Sequence, residues 1–290
     1  MGKDMRELTN EQRRQQIDAG QVFAAFRQTR HELRELSGNY RWRTISGREY
    51  LIKRSPGHEA SLGPRSPHTE ALLTSTLEAR ATARKQWDSL GRRLATMRPV
   101  NRAMGLGRLP DIAARIIDAL DRVGLLDGRV RIAGTNALFA YEAASGVHLD
   151  SGLVATGDLD VLLDARTALQ IAAADGIDLG RILRQTDRSF RFDYGEFAVN
   201  AAGYEVDILR PSDDNATLLA GQPFEAFALS ERGNPVFMSA PQPKAMAKHK
   251  RWLSTLASRN ASKRPRDEAQ AKAIEHLVHK YRLPATGWRR

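Results

Sequence analysis

Cysteine is absent from all 290 residues. That excludes disulfides and thiolate metal sites, and it fits a cytoplasmic protein. No apolar run approaches the roughly 20 residues that a membrane helix needs, so no membrane partner is expected. The opening MGKDMRELTNEQRRQQIDAG is polar and charged without an apolar segment, so no signal peptide is expected. Met-Gly at the start lacks the Ser or Thr at position 6 that myristoylation favours; Arg6 stands there. There is no G-x-x-x-x-G-K-[ST] loop, no G-x-G-x-x-G fingerprint, no internal repeat and no zinc spacing among the seven histidines. His276 and His279 are read as helix surface.

The formal net charge of +11 is unevenly placed. Residues 1–110 carry 21 Lys/Arg against 11 Asp/Glu, residues 111–240 carry 11 against 20, and residues 241–290 carry 13 against 3. An acidic middle between two basic flanks suits a metal-binding core with arms for phosphates or nucleic acid. Arg-rich solvated helices would give the same profile.

Three regions are expected. Residues 1–110 are mostly helical and basic, with a hairpin across 41–54 turning at Ser46-Gly47. The Pro/Gly/Ser-rich stretch 55–70 reads as a loop, Thr69 to about Met97 as a basic helix, and 98–110 as the domain boundary. Residues 111–240 form the core. Its expected elements are a helix over 111–126 capped by Asp111, a strand over 129–134 and a helix over 135–145. Then come a strand at TGDLDVLL, helices at Ala165–Ala174 and Leu179–Gln185, and short strands at SFRFDY, EFAVNA and YEVDILR. Residues 241–290 close the chain with helices over 244–258 and 267–281. This order suggests an α+β fold: a small mixed sheet with helices packed on it. The hairpin's Trp42 and Tyr50 stand among Arg41, Arg43, Arg48, Lys53 and Arg54. They suit either a stacking surface for single-stranded nucleic acid or a hairpin with a core Trp.

The chemistry concentrates in the acidic middle. In TGDLDVLLDA, Asp158 and Asp160 project to one face of an apolar strand, because strand side chains alternate. Asp207 sits in a second apolar strand, between Val206 and Ile208. Three converging carboxylates repel one another and resist ionisation unless a divalent cation sits among them. Magnesium, with oxygen ligands from carboxylates and phosphates, fits that need and points to a two-metal phosphoryl-transfer site. Upstream, RIAGTNALFAYEAA takes a strand through Gly134-Thr135 into a helix. That turn makes an anion site for a phosphate, or an ordinary strand–helix turn with a threonine cap.

The order G-T, then T-x-D-x-D, then a single Asp in an apolar strand resembles the nucleotidyltransferase superfamily of DNA polymerase β. Within it, GTNALFAYEAASGV, TGDLDVLLDA and YEVDILRP resemble bacterial nucleotidyltransferase-fold proteins of unassigned substrate, related to abortive-infection toxin-type transferases. The resemblance covers about residues 129–282, with a weaker echo at SGREYLIKR and SLGPRS. It implies that Gly134 and Thr135 hold triphosphate, that Asp158 and Asp160 bind metal, and that Asp207 is metal ligand and general base. It also implies that Lys250, in APQPKAMAKHKRW, faces the nucleotide; a solvated basic helix face is the other reading of that segment. KRPRDEAQ resembles the family's basic-Asp-x-x-Gln signature at Arg266, Asp267 and Gln270, read as structural with Asp267 capping a helix. Two departures stand out. Gly134 and Asp158 are 24 residues apart, so YEAASGVHLDSGLVA is expected to loop out, and Gly-Thr replaces the commoner Gly-Gly or Gly-Ser.

The resulting expectation is a Mg²⁺-dependent enzyme, two ions bound, moving NMP from an NTP such as ATP to an acceptor hydroxyl on RNA, protein or a small molecule. The toxin-type relatives add an antitoxin-like partner. The alternative is a scaffold of this fold that has lost catalysis and binds nucleic acid.

Overall fold

The structure, a computed structural model, describes residues 5–55, 57–172, 178–193 and 197–283. The chain divides into two compact units, one of Met1–Gln16 with Pro99–Arg290, the other of Ile17–Arg98. No helix among the described residues is long and apolar enough to cross a membrane.

In the Ile17–Arg98 unit, strands Asn39–Ile45, Arg48–Ser55 and His58–Pro64 form an antiparallel meander. Ser46 and Gly47 turn the hairpin at φ values of 49° and 77°, the left-handed pair that a tight two-residue turn requires. Leu51 and Ile52 are fully buried, and Phe26 stacks on Trp87 at 5.4 Å between ring centroids. The stretch expected as a loop over 55–70 instead supplies the third strand. Its glycines and prolines mark the strand's ends, while Ser61, Ala60 and Glu59 pair with Ile52, Lys53 and Arg54. The helix that follows runs Pro67–Ala103, so it continues into the expected boundary segment, and left-handed Gly105 lies just past its end.

The other unit is built on a five-stranded sheet. Its order is Val130–Ile132, Asp158–Leu163, Glu205–Leu209, Phe197–Val199, Arg191–Asp193. Only the Asp158–Leu163 and Glu205–Leu209 pair is parallel. Leu159, Val161, Leu162, Leu163 and Val206 are buried, which is why these strands read as apolar runs rather than alternating ones. The helix Asp111–Arg122 lays Ala113, Ile116, Ile117 and Leu120 against the core. Asp111 is its first residue and makes no capping bond; Pro110 takes the N-cap position. Parts of three expected elements, at Ala174, Tyr194 and Glu196, lie outside the described residues.

The segment expected to loop out is instead structured. The helix Ala137–Ser145 ends at left-handed Gly146 (φ 64°) and leads into the buried strand Val147–Leu149. That strand pairs with Met5–Glu7 from the start of the chain. A hairpin of Phe224–Leu229 and Pro235–Ala240, unread in the sequence, packs on the Ala137–Ser145 helix. Phe224 meets Tyr141 edge-on at 5.3 Å, and the Tyr141 hydroxyl donates to the Pro241 carbonyl at 2.7 Å. The closing helices Pro243–Thr255 and Arg264–Lys280 pack on each other, and the second also meets the Ala137–Ser145 helix.

Candidate active site

Parallel pairing decides how the carboxylates meet. Asp207 stands in register with Asp160, and Glu205 with Asp158. Registered residues share a sheet face, so four carboxylates form a two-by-two array at the start of the two central strands. All four line one cleft of about 810 Å³. Glu205 was not singled out from the sequence, although it lies two residues before Asp207 and therefore on the same face.

The turn before the Ala137–Ser145 helix is stitched to this array. The Ala133 N–H donates to the Asp160 carbonyl at 2.9 Å. The Asn136 amide and the Tyr204 hydroxyl donate to the Asp158 carbonyl at 2.7 and 3.2 Å. The Thr156 hydroxyl donates to the Asp158 carboxylate. Gly134 has φ +59°, and a Cβ there would lie 1.7 Å from Asp160 Oδ2. Glycine is therefore required by the carboxylate as well as by the backbone.

The far wall is cationic. Lys250, only 5% exposed, donates to Asp267 Oδ1 at 2.8 Å; Arg259 donates to Asp267 Oδ2, also at 2.8 Å. Asp267 thus holds two cations side by side and caps nothing; Lys263 occupies the N-cap position of its helix. Arg266 donates to the Thr135 hydroxyl at 2.9 Å, so the KRPRDEAQ segment is tied into the cleft itself. Arg259, Lys263 and Arg266 were not read as site residues; the density of cations in SRNASKRPRD was the available signal.

Charge and burial perturb the array. Burial, then the charge of Asp158, pushes the Asp160 carboxyl up to about 6, with Lys250 opposing and Asp207 adding to the rise. Burial, Asp158 and Glu205 raise the Asp207 carboxyl, and Lys263 opposes. Burial alone would raise Asp267, but the hydrogen bonds from Arg259 and Lys250 outweigh it and hold the group below its ordinary value. Burial and then Lys250 lower the His249 imidazole.

The structure therefore brings Gly134, Thr135, Asp158, Asp160, Asp207 and Lys250 to one cleft. Lys248, two residues from Lys250, lines a separate groove with Lys244 and Arg251. Beyond Lys250 the Pro243–Thr255 helix and its continuation give the cleft Trp252, Leu253 and Leu256, an apolar wall. On the hairpin of the other unit, Arg41 and Arg43 pair with Glu59, and Arg65 lies over Trp42 at 5.1 Å.

The donor chemistry fits magnesium. The candidate ligands are hard carboxylate oxygens on adjacent strands, and their mutual repulsion is what a cation relieves. Among the described residues no three acidic, His or Cys side chains are already gathered tightly enough to cage an ion alone. Magnesium commonly takes one or two carboxylates and completes its shell with phosphates and water.

The mixed sheet thus carries a Gly-Thr turn, paired aspartates on one strand and two carboxylates on its parallel neighbour. The chain belongs to the nucleotidyltransferase family: the family model matches residues 111–218 and 214–287. That family's role is nucleotidyl transfer. No curated protein matches the chain, and no solved structure does.

Proposed function

We propose that this protein is a Mg²⁺-dependent nucleotidyltransferase that moves NMP from an NTP to an acceptor hydroxyl and releases pyrophosphate. The observation that carries the reading is the registered carboxylate array facing both the Gly134-Thr135 turn and the cationic wall of one cleft. Asp158, Asp160 and Asp207 would hold the two magnesium ions. When bound, magnesium would neutralise the phosphate oxygens and lower the acceptor hydroxyl's proton affinity. Asp207 would orient the acceptor hydroxyl and take its proton. Gly134 and Thr135 at the helix start would hold the triphosphate. Lys250 keeps ammonium donors beyond the one given to Asp267, and Arg259 and Lys263 add charge along the same wall. These fixed cations would stabilise charge developing on the departing pyrophosphate. Acceptor choice is left among RNA, a protein hydroxyl and a small molecule.

The test is incubation with four α-labelled NTPs, Mg²⁺ and cell extract, asking whether label enters RNA, protein or a small molecule. Asp158→Ala with Asp160→Ala should abolish transfer. Full transfer by that double variant contradicts the proposal.

A further inference from the structure

Among the described residues the Thr135 hydroxyl has two hydrogen-bond partners. A threonine oxygen offers two lone pairs and one proton. Arg266 Nη2 donates to it at 2.9 Å, and Gln270 Nε2 donates to it at 3.3 Å. Neither group can accept in return. A guanidinium has no acceptor, and the Gln270 amide orientation is set by its second bond. Nε2 also donates to the Leu153 carbonyl at 2.6 Å. Flipping the amide would press Oε1 against that carbonyl, acceptor against acceptor. Both lone pairs of Thr135 are therefore occupied, and its proton must point elsewhere.

Thr135 is 6% exposed and Gln270 is 0% exposed, yet Thr135 lines the cleft. Among the described residues the hydroxyl proton has no acceptor. A buried donor of this kind is costly unless a ligand supplies an oxygen. It stands at the start of the nine-residue helix Ala137–Ser145, where helix N–H groups already favour negative charge. With its lone pairs taken, the same hydroxyl cannot ligate a cation.

We infer that Arg266 and Gln270 are positioning residues. By filling both lone pairs of Thr135 from behind, they fix its hydroxyl as an obligate donor aimed at a phosphate oxygen of the bound triphosphate. This rests on the nucleotidyl-transfer reading above, and it names which end of the substrate the turn meets and how. The basic-Asp-x-x-Gln segment then has a divided task. Asp267 gathers Lys250 and Arg259, while Arg266 and Gln270, on either side of it in sequence, set one proton's direction.

The experiment is a double-mutant cycle on the full chain, read by calorimetric binding of Mg²⁺–NTP and of Mg²⁺–tripolyphosphate. Thr135→Val should weaken both by about tenfold or more, the range for a hydrogen bond to a charged group. Thr135→Ser should restore most of the affinity. Gln270→Met, which keeps the volume, should weaken both ligands severalfold when Thr135 is present and change nothing when it is combined with Thr135→Val. A role in packing alone predicts equal losses in both backgrounds, and that result overturns the inference. If Gln270→Met fails to fold by circular dichroism, Arg266→Lys serves instead. It keeps the charge, loses the fork, and should likewise be felt only where the hydroxyl is present. Equal losses from Arg266→Lys in the two backgrounds overturn the inference as well. Wild-type protein that binds neither ligand overturns the nucleotide reading and this inference with it. Wild-type binding with additive losses overturns this inference alone.

Discussion

Replacing Asp160 with its neutral isostere, Asp160→Asn, should stabilise the metal-free protein while removing its function. The folded state holds the Asp160 proton up to about pH 6, whereas an unfolded chain gives it up near 3.8. Between those values the folded state binds a proton that the unfolded state has lost, so stability falls as pH rises. Each pKa unit corresponds to about 1.4 kcal/mol. The span predicts a total loss of about 3 kcal/mol, most of it between pH 4 and pH 7, complete once pH passes the folded value. Asn carries no such titration, so the wild-type minus Asp160→Asn difference reports this group together with its coupling to Asp158 and Asp207. The assay is urea unfolding of both proteins in chelator at half-unit steps from pH 4 to pH 8. Magnesium should reverse the wild-type loss above pH 6 and have little effect on Asp160→Asn, because ligand binding to the native state adds stability. A difference that stays flat across the range would refute the claim that burial and the neighbouring Asp158 charge hold the Asp160 proton.

Gly134→Ala should be damaging out of proportion to one methyl group. The left-handed backbone costs about 1–2 kcal/mol for a residue with a Cβ, and that Cβ would displace the Asp160 carboxylate; thermal melts and Mg²⁺–NTP binding should both fall. Lys250→Met should destabilise the fold by about 3 kcal/mol, because a buried pair is broken at Asp267, and should also weaken NTP binding. Lys248→Met, exposed on another groove, should leave urea midpoints and binding unchanged. Deleting 17–98 and joining residue 16 to residue 99 through a short Gly/Ser linker should give a folded, NTP-binding protein by circular dichroism and calorimetry. The two ends are adjacent, since Gln15 Nε2 donates to Asn101 Oδ1 at 2.7 Å. A fragment beginning at Leu109 should fold less well, because it lacks the Met5–Glu7 strand and buried Leu8.

The candidate site was legible because its carboxylates obey local rules. Asp158 and Asp160 are two apart in an apolar strand, and period-2 alternation places them on one face whatever surrounds them. The helix Asp111–Arg122 and the hairpin about Ser46-Gly47 were likewise written in local periodicity and turn chemistry. What escaped depends on long-range pairing. Nothing near Val147–Leu149 says that its partner is Met5–Glu7, 142 residues away, so a buried strand read as a loop. Asp267 read as a helix cap because local rules favour an acid in a first turn. Its partners are instead Lys250 on the preceding helix and Arg259 in the loop between. The Phe224–Leu229 and Pro235–Ala240 hairpin is different: its alternation and the Gly233-containing loop were available and went unread. Glu205 was also legible, two residues before Asp207.

If the carboxylate array transfers the α-phosphoryl end of an NTP with its nucleoside, the position of the label reports it. The most direct measurement follows parallel reactions with α-labelled and γ-labelled NTP in Mg²⁺ and acceptor extract. Wild-type protein should place α-label on the acceptor and γ-label in free pyrophosphate, in equal amounts, and the Asp158→Ala, Asp160→Ala protein should do neither. Label reaching the acceptor from the γ position, or α-label transferred equally by the double variant, would contradict the account.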